Sequence, residues 1–496
     1  MAAGDTLTIG GAFNSHSGIV SIPSSFFGDT STSGSLNQLL ENYLGSLSNS
    51  IQGGTYSFEN NDIAGGSDFK KTERHSSGEH QDNDGGRDHK KTERHGSDEH
   101  HDNDGGRDFK KIERHASGFF EEFTNTDQNG KVTGSSVSGA YRVSPGVTDL
   151  VVQAPGDVTL TGNGTTKFAL FGADSNVTYN QTGGGSSSIF AAGGSDSIYV
   201  SAANVNDTVY SAGKDTITFN GVGGKELVNA EGNATTTVFI GGSDSATVTA
   251  SDNAKVGVHF IQNSGGTLDF INNSTQAQTV FSAAHGVNSV TVNAGAGGGL
   301  YVGGLAGNNS LIGGSGAVTL VGGGSNDVLE GKGASNDLIG GTGIETLIGA
   351  NGSGNNVFQI GVDSVGAGHV TTSGIASTNG SGLQSFIIGN TLGETLTGST
   401  VAGSTNLYDI AGSHTTSGST LTITNFGAGN SVILLVDSTL NAASHNSVYS
   451  IQAAGGVGGG TDVYLNDGTT ILLKGVKVSD VFSTTLPGGI TAIGHT

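Results

Sequence analysis

Carboxylate residues that follow runs of glycine are the clearest candidates for chemistry in this chain. Residues 322–330 read Gly-Gly-Gly-Ser-Asn-Asp-Val-Leu-Glu, and residues 340–348 read Gly-Gly-Thr-Gly-Ile-Glu-Thr-Leu-Ile. Glycine lets backbone carbonyls turn toward an ion, and Asp327 and Glu345 each supply a charged oxygen. Because Ca²⁺ takes six to eight oxygen ligands, neighbouring turns of the chain must share a site. The pattern therefore predicts calcium binding between adjacent turns.

These segments follow, with substitutions, the calcium-binding nonapeptide G-G-x-G-x-D-x-U-x, in which U is a large apolar residue. The first segment has Ser325 in place of the fourth glycine, and the second has glutamate in place of the aspartate. Residues 331–339 carry their aspartate one position late. We expect roughly one to three calcium ions. The alternative is a solenoid with glycine corners and no metal. The candidate ligands are Asp327, Asp337, Glu345, Asn326 and Asn336.

A second acidic pattern lies among three charged repeats with a period of 20 residues. Residues 68–75, 88–95 and 108–115 are near-copies, separated by stretches that contain Asp-Asn-Asp-Gly-Gly-Arg. The paired glycines predict turns rather than a continuous helix. The segment is either a solvated polyampholyte or stacked β-structure with cations between its aspartates. Histidines in the repeats are able to bind zinc or nickel. The candidate calcium ligands here are Asp82, Asp84, Asp102 and Asp104.

The predicted strands that position the glycine-flanked carboxylates recur with a regular period. Short apolar or β-branched triplets, such as those at residues 158–160, 177–179 and 217–219, recur about every ten residues. A fixed short period indicates one structural unit stacked many times. Aspartates at 196, 207, 215 and 244 precede such strands and are expected to cap their own turns. The predicted fold is all-β: a Gly-rich parallel β-solenoid of the β-roll or β-helix type.

Five regions are expected along the chain. Residues 1–65 form an N-terminal region with one short helix at about 36–48, because leucines at 36, 39, 40, 44 and 47 follow helical spacing. That apolar stripe either caps the solenoid or contacts another subunit. The remaining regions are the charged His-rich repeats (66–118), a linker or first strands (119–149), the β-solenoid (150–360) and a C-terminal β cap domain (361–496).

Composition restricts the function classes. The chain has 496 residues, 87 glycines, no cysteine and a formal charge of −23. Eleven of its 20 basic residues lie in the charged repeats, so the remainder is strongly acidic. Such a surface disfavours nucleic acid and anionic membranes and suits divalent cations. No apolar run reaches the ~20 residues of a membrane span, and the N-terminus lacks the pattern of a cleaved signal peptide.

The central and C-terminal parts resemble the repeats-in-toxin (RTX) proteins, which Gram-negative bacteria export by type I secretion. The resemblance is carried by the degenerate nonapeptides at 303–359 and by two C-terminal runs, Leu421-Thr-Ile-Thr-Asn-Phe-Gly and Leu465-Asn-Asp-Gly-Thr-Thr-Ile-Leu-Leu. It implies an uncleaved C-terminal secretion signal, an extracellular or cell-surface location and folding triggered by Ca²⁺. The family includes toxins, enzymes, adhesins and surface-layer proteins.

Catalytic motifs are absent from the sequence, which contains no H-E-x-x-H, no P-loop and no G-x-S-x-G. We therefore expect a non-enzymatic structural protein that self-assembles into a surface layer, filament or biofilm matrix. Its expected partners are copies of itself, with a cell-surface polysaccharide as a further candidate. Two alternatives stay open: a secreted enzyme that acts on polysaccharide through a β-helix, and a monomeric RTX adhesin.

Overall fold

The computed structural model describes residues 139–496 with short gaps, together with the backbone of four earlier strands. The gaps fall at 144, 154–155, 174, 262–264, 283–288, 306, 325, 353, 362–370, 390, 412–418, 429, 437–446, 456–458 and 488–489. The predicted helix at 36–48 and the charged repeats through residue 115 lie outside the described residues.

The described part of the chain confirms the predicted all-β parallel β-solenoid. Each coil contributes one strand to each of two sheets, and regular helix in this part is limited to one 3-10 turn, Val478–Asp480. A separate antiparallel hairpin joins β1 (Thr6–Phe13) and β2 (His16–Pro23).

Sheet one contains the even-numbered strands β4 to β32, which pair in parallel, together with β3, which pairs in parallel on β4, and the C-terminal strands β34, β35 and β36. Its strands are β3 (Tyr56–Asp62), β4 (Gly118–Thr124), β6 (Asp149–Gln153), β8 (Phe168–Phe171), β10 (Ser188–Ala191), β12 (Thr208–Ser211), β14 (Lys225–Ala230), β16 (Ser245–Ala250), β18 (Thr267–Asn272), β20 (Ser289–Ala294), β22 (Ser310–Ile312), β24 (Val328–Glu330), β26 (Gly343–Gly352), β28 (Thr371–Gly380), β30 (Gly393–Thr397), β32 (Thr420–Thr424), β34 (Val448–Ala453), β35 (Gly460–Leu465) and β36 (Thr470–Lys474).

Sheet two contains the odd-numbered strands β5 to β33, which pair in parallel, together with the C-terminal strands β37 and β38. Its strands are β5 (Gly139–Arg142), β7 (Gly156–Thr161), β9 (Ser175–Gln181), β11 (Ser197–Val200), β13 (Lys214–Phe219), β15 (Thr235–Ile240), β17 (Lys255–Phe260), β19 (Gln278–Phe281), β21 (Gly299–Val302), β23 (Val318–Val321), β25 (Ser335–Ile339), β27 (Asn355–Ile360), β29 (Leu383–Ile388), β31 (Thr405–Ala411), β33 (Asn430–Val436), β37 (Val481–Thr485) and β38 (Thr491–His495).

Strand formation follows from strict alternation of side chains. In β15 the residues at 236, 238 and 240 are buried, whereas those between them are only partly covered. Successive side chains of a strand point to opposite faces, and β-branched residues pack well on such a surface. The same alternation repeats in β13, β14, β16 and β17. Each triplet of the sequence is therefore a rung with one face in the core.

The core consists of apolar columns that run along the stack. In sheet one, Val209, Val228, Val248 and Phe270 occupy equivalent positions on successive rungs, and all four are fully buried. A matching column in sheet two includes Ile217. Both columns belong to one continuous apolar cluster, which extends from residue 143 to residue 493. In-register stacking thus places like on like along the whole interior.

Glycine is required where the chain turns tightly between sheets. Gly242 has φ of 59°, and a Cβ at this position would collide with the carbonyl oxygen of Gly221 in the preceding coil. Both the left-handed conformation and the close approach of two backbones exclude larger residues here.

Coil length varies along the solenoid. Ser310 pairs with Val328, and Val328 pairs with Thr346, so each of these coils contains 18 residues, which is two nonapeptides. Elsewhere the coils are longer: Thr235 pairs with a residue 20 positions later, and Thr346 pairs with Ile375, 29 positions later. The parallel ladder nevertheless continues beyond residue 360, through β32 and β33.

Antiparallel strands complete the C-terminal end. In sheet one, β36 pairs in parallel with β32, after which β35 and β34 add in antiparallel fashion. In sheet two, β38 pairs antiparallel to β33, and β37 pairs antiparallel to β38. This change of pairing lies within the predicted C-terminal β cap domain.

The charged repeats are inserted between two neighbouring rungs. Strands β3 and β4 are adjacent and parallel, with Tyr56 paired to Gly118, although 62 positions of sequence separate these partners. The chain therefore leaves sheet one after β3 and returns to the next rung, about 4.8 Å away, after passing through all three repeats.

Aromatic rings stack between coils near the C-terminal part of the solenoid. The ring centroids of Phe358 and Phe386 lie 4.7 Å apart, and those of Phe386 and Tyr408 lie 4.8 Å apart, with nearly parallel planes. All three side chains are fully buried. Aromatic pairs of this kind add to the area that they bury, so the stack ties three coils together.

We expect Phe386→Ala to lower the free energy of unfolding by about 3–5 kcal/mol, because it opens a cavity and removes both ring contacts. Phe281→Ala is the matched control, since Phe281 is 46% exposed on the outer face of sheet two. Chemical denaturation followed by circular dichroism measures both. Equal losses in the two variants would contradict the stacked core.

Candidate functional site

The predicted ligands Asp327 and Glu345 lie on successive rungs of sheet one, on the same inward column. The column contains Asn309, Asp327, Glu345, Gly374 and Glu394, because the neighbouring residues of β22, β24, β26, β28 and β30 pair in sequence. All its polar members are at most 3% exposed. We call Asp327, Glu345 and Glu394 the carboxylate column. Glu394 was not predicted from the sequence, because it follows a longer coil and a single glycine that is not part of a nonapeptide match.

Asp327 is fully engaged by N–H donors. Its Oδ1 accepts hydrogen bonds from the backbone N and from Nδ2 of Asn309, both at 2.8 Å, and its Oδ2 accepts one from the backbone N of Gly324 at 3.0 Å. Asn309 belongs to the preceding coil, so the carboxylate joins two coils. Burial raises the pKa of Asp327, and these hydrogen bonds oppose the rise.

Glu345 is the least satisfied member of the column. It is 1% exposed, and neither side-chain oxygen accepts a hydrogen bond of normal geometry. Burial raises its pKa to about 8, and the charge of Asp327 on the adjacent rung adds to the rise, whereas the backbone N–H groups of Gly341 and Asp327 oppose it. An unpaired buried carboxylate is costly, so this group requires either a proton or a cation.

Gly374 makes room for Glu394 to approach Glu345. A Cβ at Gly374 would collide with Oε2 of Glu394 and would lie 3.1 Å from the backbone carbonyl oxygen of Glu345. Oε1 of Glu394 accepts a hydrogen bond from Oγ1 of Thr391 at 2.7 Å, whereas Oε2 is buried without a partner. Burial raises the pKa of Glu394 to about 7.

The remaining predicted ligands lie elsewhere. Asn336 is buried on the inward column of sheet two, where its Nδ2 donates to Oδ1 of Asn356 at 2.8 Å. Asp337 lies on the outer face, half-buried, and accepts a hydrogen bond from Nε2 of Gln359 at 2.9 Å. Asn326 is exposed, and its Nδ2 donates to Oδ1 of Asn308 at 3.3 Å. The structure does not bring these three residues to the carboxylate column. Asp82, Asp84, Asp102 and Asp104 lie outside the described residues.

The corner aspartates form a second set of buried carboxylates in the earlier coils. Oδ1 of Asp196 accepts from the backbone N of Val177 at 2.7 Å, and Oδ1 of Asp215 accepts from the backbone N of Asp196 at 3.1 Å. Each aspartate therefore binds the preceding coil, in addition to any bond within its own turn. Burial raises the pKa of Asp196 to about 8, with Asp215 adding to the rise.

A third group gathers at the other corner of the same coils. Asp207 Oδ1 accepts from the backbone N of Ser187 at 2.7 Å, and Glu226 Oε2 accepts from the backbone N of Asp207 at 2.8 Å. Asp244 binds the backbone N of Gly221 at 2.6 Å. Burial raises the pKa of Glu226 to about 8. In these earlier coils, each of the carboxylates named accepts a hydrogen bond from the backbone of the preceding rung.

In the coils that contain the carboxylate column, the inward column of sheet two carries amides where sheet one carries acids. Nδ2 of Asn336 donates to Asn356, whose Nδ2 in turn donates to Oε1 of Gln384 at 2.6 Å. An amide both donates and accepts, so stacked amides satisfy one another without charge. The sequence signal for this ladder is the residue Asn or Gln at the second position of β25, β27, β29 and β31.

The carboxylate column has the type of ligand that suits a divalent cation, but its side chains are not arranged around one point. Unpartnered carboxylate oxygens are the hard ligands that Ca²⁺ prefers. In the part of the chain that the structure describes, no three His, Asp or Glu side chains converge closely enough to ligate one ion. A cation here would need Glu345 and Glu394 as carboxylate ligands, supplemented by backbone carbonyls.

Comparisons with protein-family models, with curated proteins and with solved structures give no significant match to this chain. Among the described residues, no helix has the length and apolar character needed to span a bilayer.

The raised pKa values predict stability that falls as pH rises. Between its ordinary value of 4.5 and about 8, Glu345 holds a proton in the folded state that it lacks in the unfolded state. Its stabilising contribution is therefore present below the unfolded pKa and is lost as pH rises through the folded pKa. In the absence of divalent cations, we expect the unfolding free energy to decrease from pH 5 to pH 8, by ~1.4 kcal/mol per unit of pKa shift.

Glu345→Gln keeps the shape of the protonated acid and removes its ionisation. We expect this variant to match the wild type near pH 5, to exceed it at pH 8, and to show a shallower slope of denaturation midpoint against pH. Glu330→Gln is the control. Glu330 lies on the rung next to that of Glu345, faces outward and is close to Lys332. A wild-type slope retained in Glu345→Gln would show that Glu345 is ionised in the folded protein.

Proposed function

We propose that this chain is a non-enzymatic, calcium-stabilised structural protein of the RTX type. It acts outside a Gram-negative cell and assembles with its own copies into a surface layer, filament or biofilm matrix. The observation that carries the proposal is the pair of 18-residue coils between 310 and 346, which stack Asp327 directly over Glu345. Two nonapeptides per coil is the repeat expected of a calcium-binding β-roll.

Calcium offsets the cost of the carboxylate column at neutral pH. Glu345 is buried with two unpartnered oxygens, and a cation between it and Glu394 replaces the proton that each would otherwise retain. Metal binding of this kind is coupled to folding, since the unfolded chain has no preformed site. The folded protein would thus be less stable where calcium is scarce and would gain stability outside the cell, where calcium is abundant.

Self-assembly is supported by the regular outer faces of the rod. Each outward position recurs about every 4.8 Å, so a weak contact with a neighbouring copy is repeated along the rod. The formal charge of −23 opposes close packing of copies. Divalent cations reduce this repulsion, so assembly, like the stability of the fold, depends on calcium.

A monomeric adhesin is the second candidate function, and a hydroxyl ladder favours it. Residues Thr159, Thr178, Ser197, Thr216 and Thr237 occupy one outward column on five successive rungs of sheet two. A regular row of hydroxyl groups can donate and accept hydrogen bonds with a polysaccharide. Binding of purified cell-surface polysaccharide by a monomer, lost in Thr178→Val/Thr216→Val, would favour this function.

We expect calcium at pH 8 to raise the denaturation midpoint of the wild type and to have a much smaller effect on Asp327→Asn/Glu345→Gln. Asp337→Asn is the control, because Asp337 lies on the outer face, away from the column. Chemical denaturation measures the shift in midpoint, and isothermal titration calorimetry measures calcium binding. An unchanged calcium response in the double variant would contradict the assignment of the column.

Electron microscopy of the purified protein tests assembly itself. We expect ordered arrays or filaments with calcium and separate particles with a chelator. Separate particles under both conditions would contradict the structural function.

A further inference from the structure

Four aliphatic side chains lie exposed on the outer face of sheet one, on rungs that also carry the carboxylate column. Val328, Ile344, Ile348 and Ile375 are 40%, 56%, 37% and 53% exposed, respectively. Their neighbours along β24, β26 and β28 are buried, so the four side chains point away from the core. We call these four side chains the aliphatic patch.

Strand register makes the aliphatic patch continuous. Val328, Thr346 and Ile375 occupy one outward column on three successive rungs. Ile344 and Ile348 lie two positions before and two positions after Thr346 on the same strand, and therefore on the same face. Because neighbouring rungs are about 4.8 Å apart, the four aliphatic side chains lie on four sides of Thr346.

Exposed charge is scarce around the patch. Among the described residues from 270 to 393, the charged side chains that reach the surface are Glu330, Lys332 and Asp337. Asp337 lies on the outer face of sheet two, so only the first two border the patch. Single exposed apolar residues are ordinary, whereas a continuous apolar patch with a polar rim is typical of a protein interface.

The charged rim of the patch is self-complementary. Glu330 pairs with Ile348 on the next rung, and its Oε2 lies 3.8 Å from Nζ of Lys332. The two charges cancel, and both side chains are at least one-third exposed. When two copies meet through the same surface around a twofold axis, the lysine of each can face the glutamate of the other. A second copy of this chain therefore fits both the apolar centre and the charged rim.

Other occupants fit the patch less well. It has no aromatic ring against which a sugar could pack. The formal charge of −23 disfavours an anionic membrane. The same net charge also opposes contact between copies in general, so a surface without net charge is where two copies meet with least repulsion.

We propose that the aliphatic patch joins two copies of this chain face to face, with sheet one of each against sheet one of the other, around a twofold axis. This inference rests on the proposed self-assembly and specifies one of its contacts. Sheets packed face to face lie about 10 Å apart, with interdigitated side chains between them. A twofold contact closes on itself, so the pair of copies is the unit from which a layer or filament is built through a second contact.

Cross-linking at the centre of the patch gives the most direct test, because the chain has no native cysteine. Thr346→Cys places one thiol in the centre of the patch. Thr319→Cys is the matched control, since Thr319 is a half-buried outward residue of sheet two. With calcium present, a short bismaleimide should convert Thr346→Cys to covalent dimers and leave Thr319→Cys monomeric. Equal linking of the two variants, or no linking of Thr346→Cys, would overturn the twofold contact.

A charge test separates this contact from assembly in general. Val328→Lys/Ile375→Lys makes like charges meet across the twofold axis. Phe281→Lys/Leu300→Lys is the control, because these side chains are 46% and 38% exposed on the outer face of sheet two. By analytical ultracentrifugation with calcium, we expect the patch variant to show at least a tenfold higher dimer dissociation constant than the wild type and the control. Its denaturation midpoint should match that of the wild type.

The outcomes distinguish the two proposals. A patch variant that dimerises like the wild type would overturn the twofold contact and leave self-assembly intact. A wild-type protein that sediments as a monomer with calcium would overturn both.

Discussion

In-register parallel stacking is the constraint on which this molecule depends. Each side chain lies above the equivalent position of the neighbouring rung, at about 4.8 Å, so the interior places like on like. For Val209, Val228 and Val248 this arrangement is favourable, because it builds a continuous apolar column. For amides such as Asn336 and Asn356 it is also favourable, since each satisfies the next. For Asp327 and Glu345 it is costly, because burial disfavours the charged form of both groups and stacking makes them neighbours.

The protein limits that cost in two ways. Asp327 accepts three N–H donors, two of them from the preceding coil, so its charge helps to join the coils. The backbone N–H groups of Gly341 and Asp327 only partly offset the burial of Glu345. Its pKa therefore stays raised, which makes the column responsive to protons and, under the proposed function, to calcium. The same side chains that stabilise one state of the solenoid therefore make its stability depend on the medium. Under the proposed function, this dependence gives the protein its full stability where calcium is abundant.

The sequence predicted the fold well where coil length varies little, between 18 and 22 residues. From residue 150 to residue 346 the triplets recur regularly, and the pairing of strands follows them. Beyond that point the sequence is no longer periodic, because coils lengthen to as many as 29 residues, between Thr346 and Ile375. Backbone pairing tolerates long surface loops, since loop closure costs little extra entropy. The parallel ladder therefore extends past the boundary that periodicity placed at residue 360.

The site was predicted less completely, for a physical reason. A nonapeptide match identifies residues that are close in sequence, whereas the column is set by register. Glu394 enters the column only because Gly374 leaves space above Glu345, and no short motif records that relation. Conversely, Asp337 is one position from an inward residue, and in a strand one position changes the face.

Infrared spectroscopy of the metal-free folded protein tests most directly whether the column holds neutral acids. At about pH 6, above the ordinary pKa of a glutamate and below that of Glu345 and Glu394 in the fold, we expect the C=O stretch of protonated carboxyl groups. That band should weaken in Glu345→Gln and should disappear on unfolding at the same pH. A folded protein without any protonated carboxyl signal at this pH would contradict the account.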